Sequence, residues 1–158
     1  MWLESVGATP VVRDLFDPAL AEEVAAYGPN VVVHQVTDLP SRSALIPFKL
    51  LSLNKVRTQG TDALIAAAQA AGAERFVAQS IAFDVPGPAR KAVAHLEAAT
   101  LAYPGVVIRY GTFHGPGTWY PDGTDKHPKV HVEAAARRTV GLLDARPGVY
   151  EVVDSTYP

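Results

Sequence analysis

Cysteine does not occur in this 158-residue sequence. Disulfides, thiol nucleophiles and cysteine-ligated metals are therefore excluded, and a reducing compartment asks for nothing the chain lacks. No apolar run approaches the ~20 residues that a membrane-spanning helix needs. The opening Met1-Trp2-Leu3-Glu4-Ser5 has neither the positive region nor the apolar stretch of a secretory signal, so a cytoplasmic location is the default expectation. Basic blocks are also missing. Fourteen Lys and Arg face sixteen Asp and Glu, a net charge of −2, so neither nucleic acid nor an anionic membrane is expected as a partner. There is no internal repeat, no low-complexity tract and no Gly-x-Ser-x-Gly nucleophile elbow.

What the chain does contain is core-forming. Hydrophobic residues make up 48% and charged residues 19%, which fits a single globular domain over 1–158. Thirteen prolines and twelve glycines imply many short connections. Residues 2–6 look like a helix tail that Gly7 ends. Pro10–Leu15 reads as a short strand. Asp17-Pro18 is a helix start, followed by Leu20, Val24 and Tyr27 at helical spacing and a Gly28-Pro29 stop. Val31-Val32-Val33 is a β-branched run of the kind buried on both faces of a parallel sheet.

A long helix is expected over about 48–71, with Leu50, Leu53, Val56, Gly60, Leu64 and Ala68 as its stripe. Gly60 costs such a helix about 1 kcal/mol relative to Ala, and close packing on the sheet is the expected reason for it. A strand at Phe76–Ala78 follows, then a helix from Pro88 to about Ala102 with Val93, Leu96 and Thr100 inward. Val106–Tyr110 is a strand, 111–128 a loop, Glu133–Asp144 a helix and Val149–Val153 a strand. Strands alternating with helices predict βαβ units and right-handed crossovers. The expected fold class is α/β, a truncated Rossmann-like, mainly parallel sheet flanked by helices.

Five blocks, in order, carry a resemblance: Val12-Arg13-Asp14-Leu15, Val32-Val33-His34-Gln35, Asn54 to Thr61 with its Gly60-Thr61 end, Arg75 to Ser80, and Val107 to Gly117. Val130 to Ala136 and Gly148 to Val153 extend it over nearly the whole chain. Together they resemble the NAD(P)-dependent epimerase/dehydratase type of the extended or atypical short-chain dehydrogenase/reductase superfamily. The resemblance implies an oxidoreductase that uses NAD or NADP on a sugar or small carbonyl substrate. It implies cofactor contacts from Asp14 and Leu15 at the adenine, from His34 and Gln35 beside the cofactor, and from Arg109 and Tyr110 at the nicotinamide and substrate side. Ser80 and Lys91 fall in the catalytic positions.

Two departures set expectations of their own. The sequence holds no Gly-x-x-Gly-x-x-Gly loop, whose backbone N–H groups would hold a pyrophosphate, so the first strand and loop are absent from this stretch and weak or lost dinucleotide binding is expected. Four residues before Lys91 stands Gly87, where the family has tyrosine, so acid–base catalysis is expected to be impaired. The short passage from Trp119 to His131 further suggests a trimmed substrate region. A different class stays open, a non-catalytic interaction or scaffold protein that keeps the fold, as does an incomplete gene product.

Each site residue also has a plainer reading. Asp14 can be a turn aspartate that bonds nearby N–H groups. His34 can be a hydrogen-bonded structural histidine. Ser80 without a tyrosine has no base to work with, and Ile81 could hold the serine register instead. His95 can be a solvated helix residue, and Tyr110 can pack its ring and bond its hydroxyl locally. His114, His127 and His131 do not have the spacing of a metal site, and none is expected. The sharpest structural expectation concerns the open sheet edge. Pro10–Leu15 should move in to pair in parallel with Val31–Val36, placing Asp14 where it repels phosphate; the competing outcome is a homodimer that covers the edge.

Overall fold

The computed structural model describes residues 2–154. Their element order is α1 (Trp2–Ser5), α2 (Leu20–Tyr27), β1 (Val31–His34), α3 (Ile46–Lys55), α4 (Thr61–Ala70), β2 (Arg75–Ile81), α5 (Gly87–Ala102), β3 (Gly105–Tyr110), β4 (Thr112–His114), β5 (Lys129–His131), α6 (Val132–Leu142) and β6 (Gly148–Val152). Four strands form one sheet in the order β1-β2-β3-β6, all parallel. The short β4 and β5 make a separate parallel pair inside what the sequence suggested was loop. The α/β, parallel-sheet expectation is borne out.

Alternation along the strands builds two cores. On one face Phe76 and Ala78 pack with Ala68, Ala73 and Leu96 of the α4–α5 side. On the other, Val77, Val106, Ile108 and Tyr110 pack with Ala135 of α6, Val130 and Val152. β3 is the central strand, and Val106, Val107 and Ile108 are at most 1% exposed. Arg75 at the amino end of β2 donates to the carbonyls of Leu143 and Ala145 just past α6, where a cation meets the negative end of a helix.

The arm before β1 corrects the sharpest expectation. Residues 8–14 form no strand, and among the described residues β1 pairs only with β2. Val11 and Val12 are exposed. The arm is tied down by side chains instead: Arg13 pairs with Asp17 (3.0 Å) and Glu23, Asp14 Oδ1 accepts the Phe16 N–H (2.8 Å), and the Lys55 ammonium lies 4.0 Å from the Phe16 ring centre. Leu15 is docked on Gly60, which holds the arm on the helical layer, away from the sheet edge. The rearranged pairing is therefore overturned, and with it the reason for placing Asp14 against a phosphate. β1 is correspondingly less buried than its Val-Val-Val run suggested, with Val33 at 42% exposure.

The long helix is broken in its middle by one π-type turn, Val56–Gly60, between α3 and α4. Gly60 explains its own presence there. A Cβ at this position would lie 2.5 Å from Leu15 Cδ2, so the close approach is to the arm rather than to the sheet. Leu53, Val56, Gly60 and Ala68 are buried as the stripe required, whereas Leu50 faces out. Helix α2 begins at Leu20 rather than Pro18, because Asp17 Oδ1 caps the preceding turn at the Ala19 N–H (2.8 Å).

Candidate functional site

The carboxyl ends of β1, β2 and β3, where open α/β sheets bind ligands, border a cleft of about 450 Å³. Its walls are apolar and aromatic: Leu39 from the loop after β1, Phe83 from the loop after β2, and Phe113, Trp119 and Tyr120 from the segment after β3, with the Tyr110 ring beside them. The Trp119 indole N–H donates to the Pro40 carbonyl (3.1 Å), joining the two loops that flank the opening. Asp38, which accepts from Lys49 (3.1 Å) and Ser52, anchors the first of these loops on α3. Gly111 lets the second loop turn, because a Cβ there would meet the Lys129 backbone at 2.7 Å.

The polar groups near the cleft are mostly bonded within the protein. Ser80 and Arg109 are direct neighbours on β2 and β3, so one acid on the overlying α5 reaches both. That acid is Glu97. Its Oε1 accepts from Ser80 Oγ (2.6 Å) and Arg109 Nε (2.9 Å), and its Oε2 from Arg109 (2.5 Å). Burial pushes the Glu97 carboxyl up, but the bonds from Arg109 and Ser80 outweigh it and hold the group below its usual range. The Ser80 proton is thus directed to Glu97. Thr118 likewise donates to the Gly115 carbonyl (2.8 Å).

Helical spacing makes Glu97 informative about its neighbours. Positions four and eight residues before it lie on the same face, and these are Val93 and Ala89. Val93 lines a small cavity together with Ser80, and Ala89 is buried. Lys91 sits outside this row, is exposed, and does not line the cleft. The α5 face turned to Ser80 therefore carries a methyl, an isopropyl and a carboxylate, with no phenol or ammonium. Ser80 and Arg109 come together, while Lys91 joins neither.

The remaining sequence candidates are placed as follows. His34 is 2% exposed. Its Nε2 lies 3.1 Å from Thr61 Oγ1, which itself donates to the Arg57 carbonyl (2.9 Å), and its Nδ1 accepts the Val36 N–H (3.3 Å). The proton therefore sits on Nε2, and burial lowers the imidazole pKa to about 4. Tyr110 donates its hydroxyl to Thr139, whose own proton goes to the Ala135 carbonyl (2.8 Å), and Gln35 also reaches the phenol. Burial is the main reason the Tyr110 pKa is raised. Asp14 makes its turn bond, and Leu15 packs on Gly60. His95 is exposed, with Nε2 2.8 Å from Asp62. No three His, Cys, Asp or Glu side chains cluster as a metal site among the described residues. None of the helices described is long and apolar enough to cross a membrane.

Sequence reasoning missed Glu97, Arg57 and the aromatic walls. Glu97 had a usable signal: an arginine beside a serine on central strands needs an acid from the covering helix. The aromatics had none, because residues scattered over 83–120 converge only through the loops.

The architecture is that of the NAD-dependent epimerases and reductases. No protein-family model matches the sequence. A 3-diazoavenalumate denitrifying reductase from a Streptomyces species is 41% identical, the match covering 70% of this chain and 44% of that protein. An epimerase from Methanothermobacter thermautotrophicus superposes with a TM-score of 0.74 at 18% identity, covering 92% of this chain and 58% of the other. The UDP-glucose 4-epimerase of Thermus thermophilus, solved in complex with NAD, gives 0.70 at 19% identity, covering 89% and 62%. The chain thus spans less than half the length of the reductase and under two thirds of these two structures. The resemblance read from the sequence is borne out to this extent: the chain has the fold of NAD-dependent epimerases and is similar in sequence to a reductase.

Proposed function

We propose that this chain belongs to a nicotinamide-dependent reductase whose substrate is a planar aromatic compound rather than a sugar nucleotide. The observation that carries the reading is the pairing of an aromatic cleft with an α5 face that sets Val93 and Glu97 beside Ser80, with no phenol or ammonium. Flat rings stack on Phe, Tyr and Trp walls. A sugar nucleotide would instead need many free donors and acceptors, and here Ser80, Thr118, Trp119 and Tyr110 have theirs bonded to protein, with Gln79 and Thr112 the polar lining side chains left open among the described residues.

The cofactor is assigned only as far as the residues allow. The cleft at the strand ends suits a nicotinamide ring, with Ser80 and Tyr110 at its border. The sequence supplies no glycine-rich cradle for the pyrophosphate, so no cofactor contact beyond the ring is assigned, and binding by this chain alone is expected to be weaker than micromolar. When bound, the nicotinamide supplies a hydride. The protein's part is to stack the acceptor, exclude water with the Leu39–Trp119 rim and fix orientation, since the α5 face turned to Ser80 carries no phenol or ammonium to donate a proton and its one carboxylate, Glu97, is held by Ser80 and Arg109. That suits an acceptor which needs hydride alone. The name of the 41%-identical relative describes such a case, a diazo compound that loses its nitrogen on reduction. If hydride adds at the ring carbon, the C–N electron pair leaves with N₂ and no general acid is required.

The test is ligand choice by the whole chain, read by calorimetry. 4-Hydroxycinnamate is expected to bind and UDP-glucose is not. Binding of UDP-glucose with no binding of the aromatic acid would refute the proposal. A second measurement follows deuterium from [4-²H]NADPH into the arene formed from a stable arenediazonium salt, against a protein-free control.

A further inference from the structure

Arg57 stands in the π-type turn between α3 and α4. It lines a small cavity of about 50 Å³ together with Thr37, Gln79, Ser80 and Val93. This cavity shares Leu39, Gln79, Ser80 and Ile81 with the aromatic cleft, so the two adjoin. Among the described residues the guanidinium has no carboxylate and no hydrogen-bond acceptor; only the Arg57 backbone carbonyl is engaged, by Thr61. Arg13, Arg75, Arg90, Arg109 and Arg138 each have an acceptor or an acid, whereas the unpartnered Arg57 borders a cavity next to the cleft. A partly buried cation with five donors and no protein partner is placed to receive an anion from the cavity it borders. Burial accordingly disfavours its charged form.

π-Type turns within α-helices occur frequently at functional sites. Here the extra residue sits one turn before the Thr61 that bonds His34, so the turn is fixed from behind by a buried contact. The size of the cavity limits the anion. The cavity is small beside the cleft, about 50 Å³ against 450 Å³, and the space suits a group the size of a planar carboxylate. No acid lines this cavity, and Glu97, which reaches Ser80, is already occupied by Ser80 and Arg109.

We infer that Arg57 is the anchor for a carboxylate on the substrate, with the aromatic body in the main cleft and the acid end in the adjoining cavity. The guanidinium presents two parallel N–H donors to the two carboxylate oxygens, a geometry that lysine cannot reproduce. This rests on the aromatic-substrate reading above and adds the charge that orients the ligand.

The experiment compares 4-hydroxycinnamate with its methyl ester by calorimetry on the whole chain and on Arg57→Gln and Arg57→Lys. The unaltered chain should prefer the acid at least 10-fold. Arg57→Gln should abolish that preference while still binding the ester, and Arg57→Lys should restore part of it. Equal binding of acid and ester by the unaltered chain overturns the Arg57 assignment and leaves the aromatic reading standing. Binding of neither overturns both. If Arg57→Gln keeps the preference for the acid but weakens NADPH binding, the anion belongs to the cofactor and the assignment is wrong. The acid–ester comparison needs no variant, so it decides the matter even if Arg57→Gln fails to fold.

Discussion

His34 should make this protein acid-sensitive well above the range in which carboxylates titrate. Its imidazole is buried at 2% exposure, bonded at both nitrogens as the neutral Nε2–H tautomer, and its pKa falls to about 4 from 6.5. In the unfolded chain the same group takes a proton near pH 6.5. Between the two values the unfolded state binds more protons, so stability falls as pH falls through that window. Above it the group is neutral in both states and costs nothing. A shift of this size corresponds to about 3 kcal/mol in total, at up to about 1.4 kcal/mol per pH unit. The assay is urea unfolding at pH 7.5, 6.0, 5.0 and 4.0, on the unaltered chain and on His34→Gln. Glutamine keeps an amide N–H for Thr61 and does not titrate. The other four histidines are common to both proteins, so the difference in pH slope isolates His34. The variant should be the less stable at pH 7.5, and its curve should be flatter between pH 6.5 and 4. Parallel curves would refute the buried, neutral assignment.

Three further outcomes are expected. Glu97→Gln should lose about 1–2 kcal/mol in denaturant titration, the full buried-pair cost being reduced because the Arg109 side chain is 37% exposed. The lowered Glu97 pKa adds that this stabilisation is complete above the ordinary carboxylate range and is lost as pH falls through the folded-state value, so the variant's penalty should shrink in acid. Phe76→Ala, at a fully buried position, should cost about 3–5 kcal/mol and be visible as a large drop in Tm. Gly60→Ala should gain up to about 1 kcal/mol of helix propensity when Leu15 is also shortened to Ala, and less than that when Leu15 is present, because the new methyl meets the Leu15 tip. A double-mutant cycle between positions 15 and 60 measures the difference.

The sequence by itself determined the layered α/β class and placed strands at 76–78, 106–110 and 149–153, which the fold extends or shifts to 75–81, 105–110 and 148–152. Period and β-branched runs report burial on a sheet face, and this information is local. It also determined that His34, Ser80, Arg109 and Tyr110 lie at or near strand ends, since each follows an apolar run directly. The partners of those residues were decided only in three dimensions. Ser80 and Arg109 meet because β2 and β3 are adjacent in a fixed register, and Glu97 joins them because α5 crosses above, a coincidence of three separate segments. Lys91 looked right in its motif yet faces solvent, because the helix row aimed at Ser80 is fixed by Glu97 and runs through Val93 and Ala89. Pro10–Leu15 carried the residues of a strand and did not become one. A strand needs a neighbour's hydrogen bonds as well as its own propensity, and the docking of Leu15 on Gly60 with the Arg13 ion pairs held this segment on the helical layer instead.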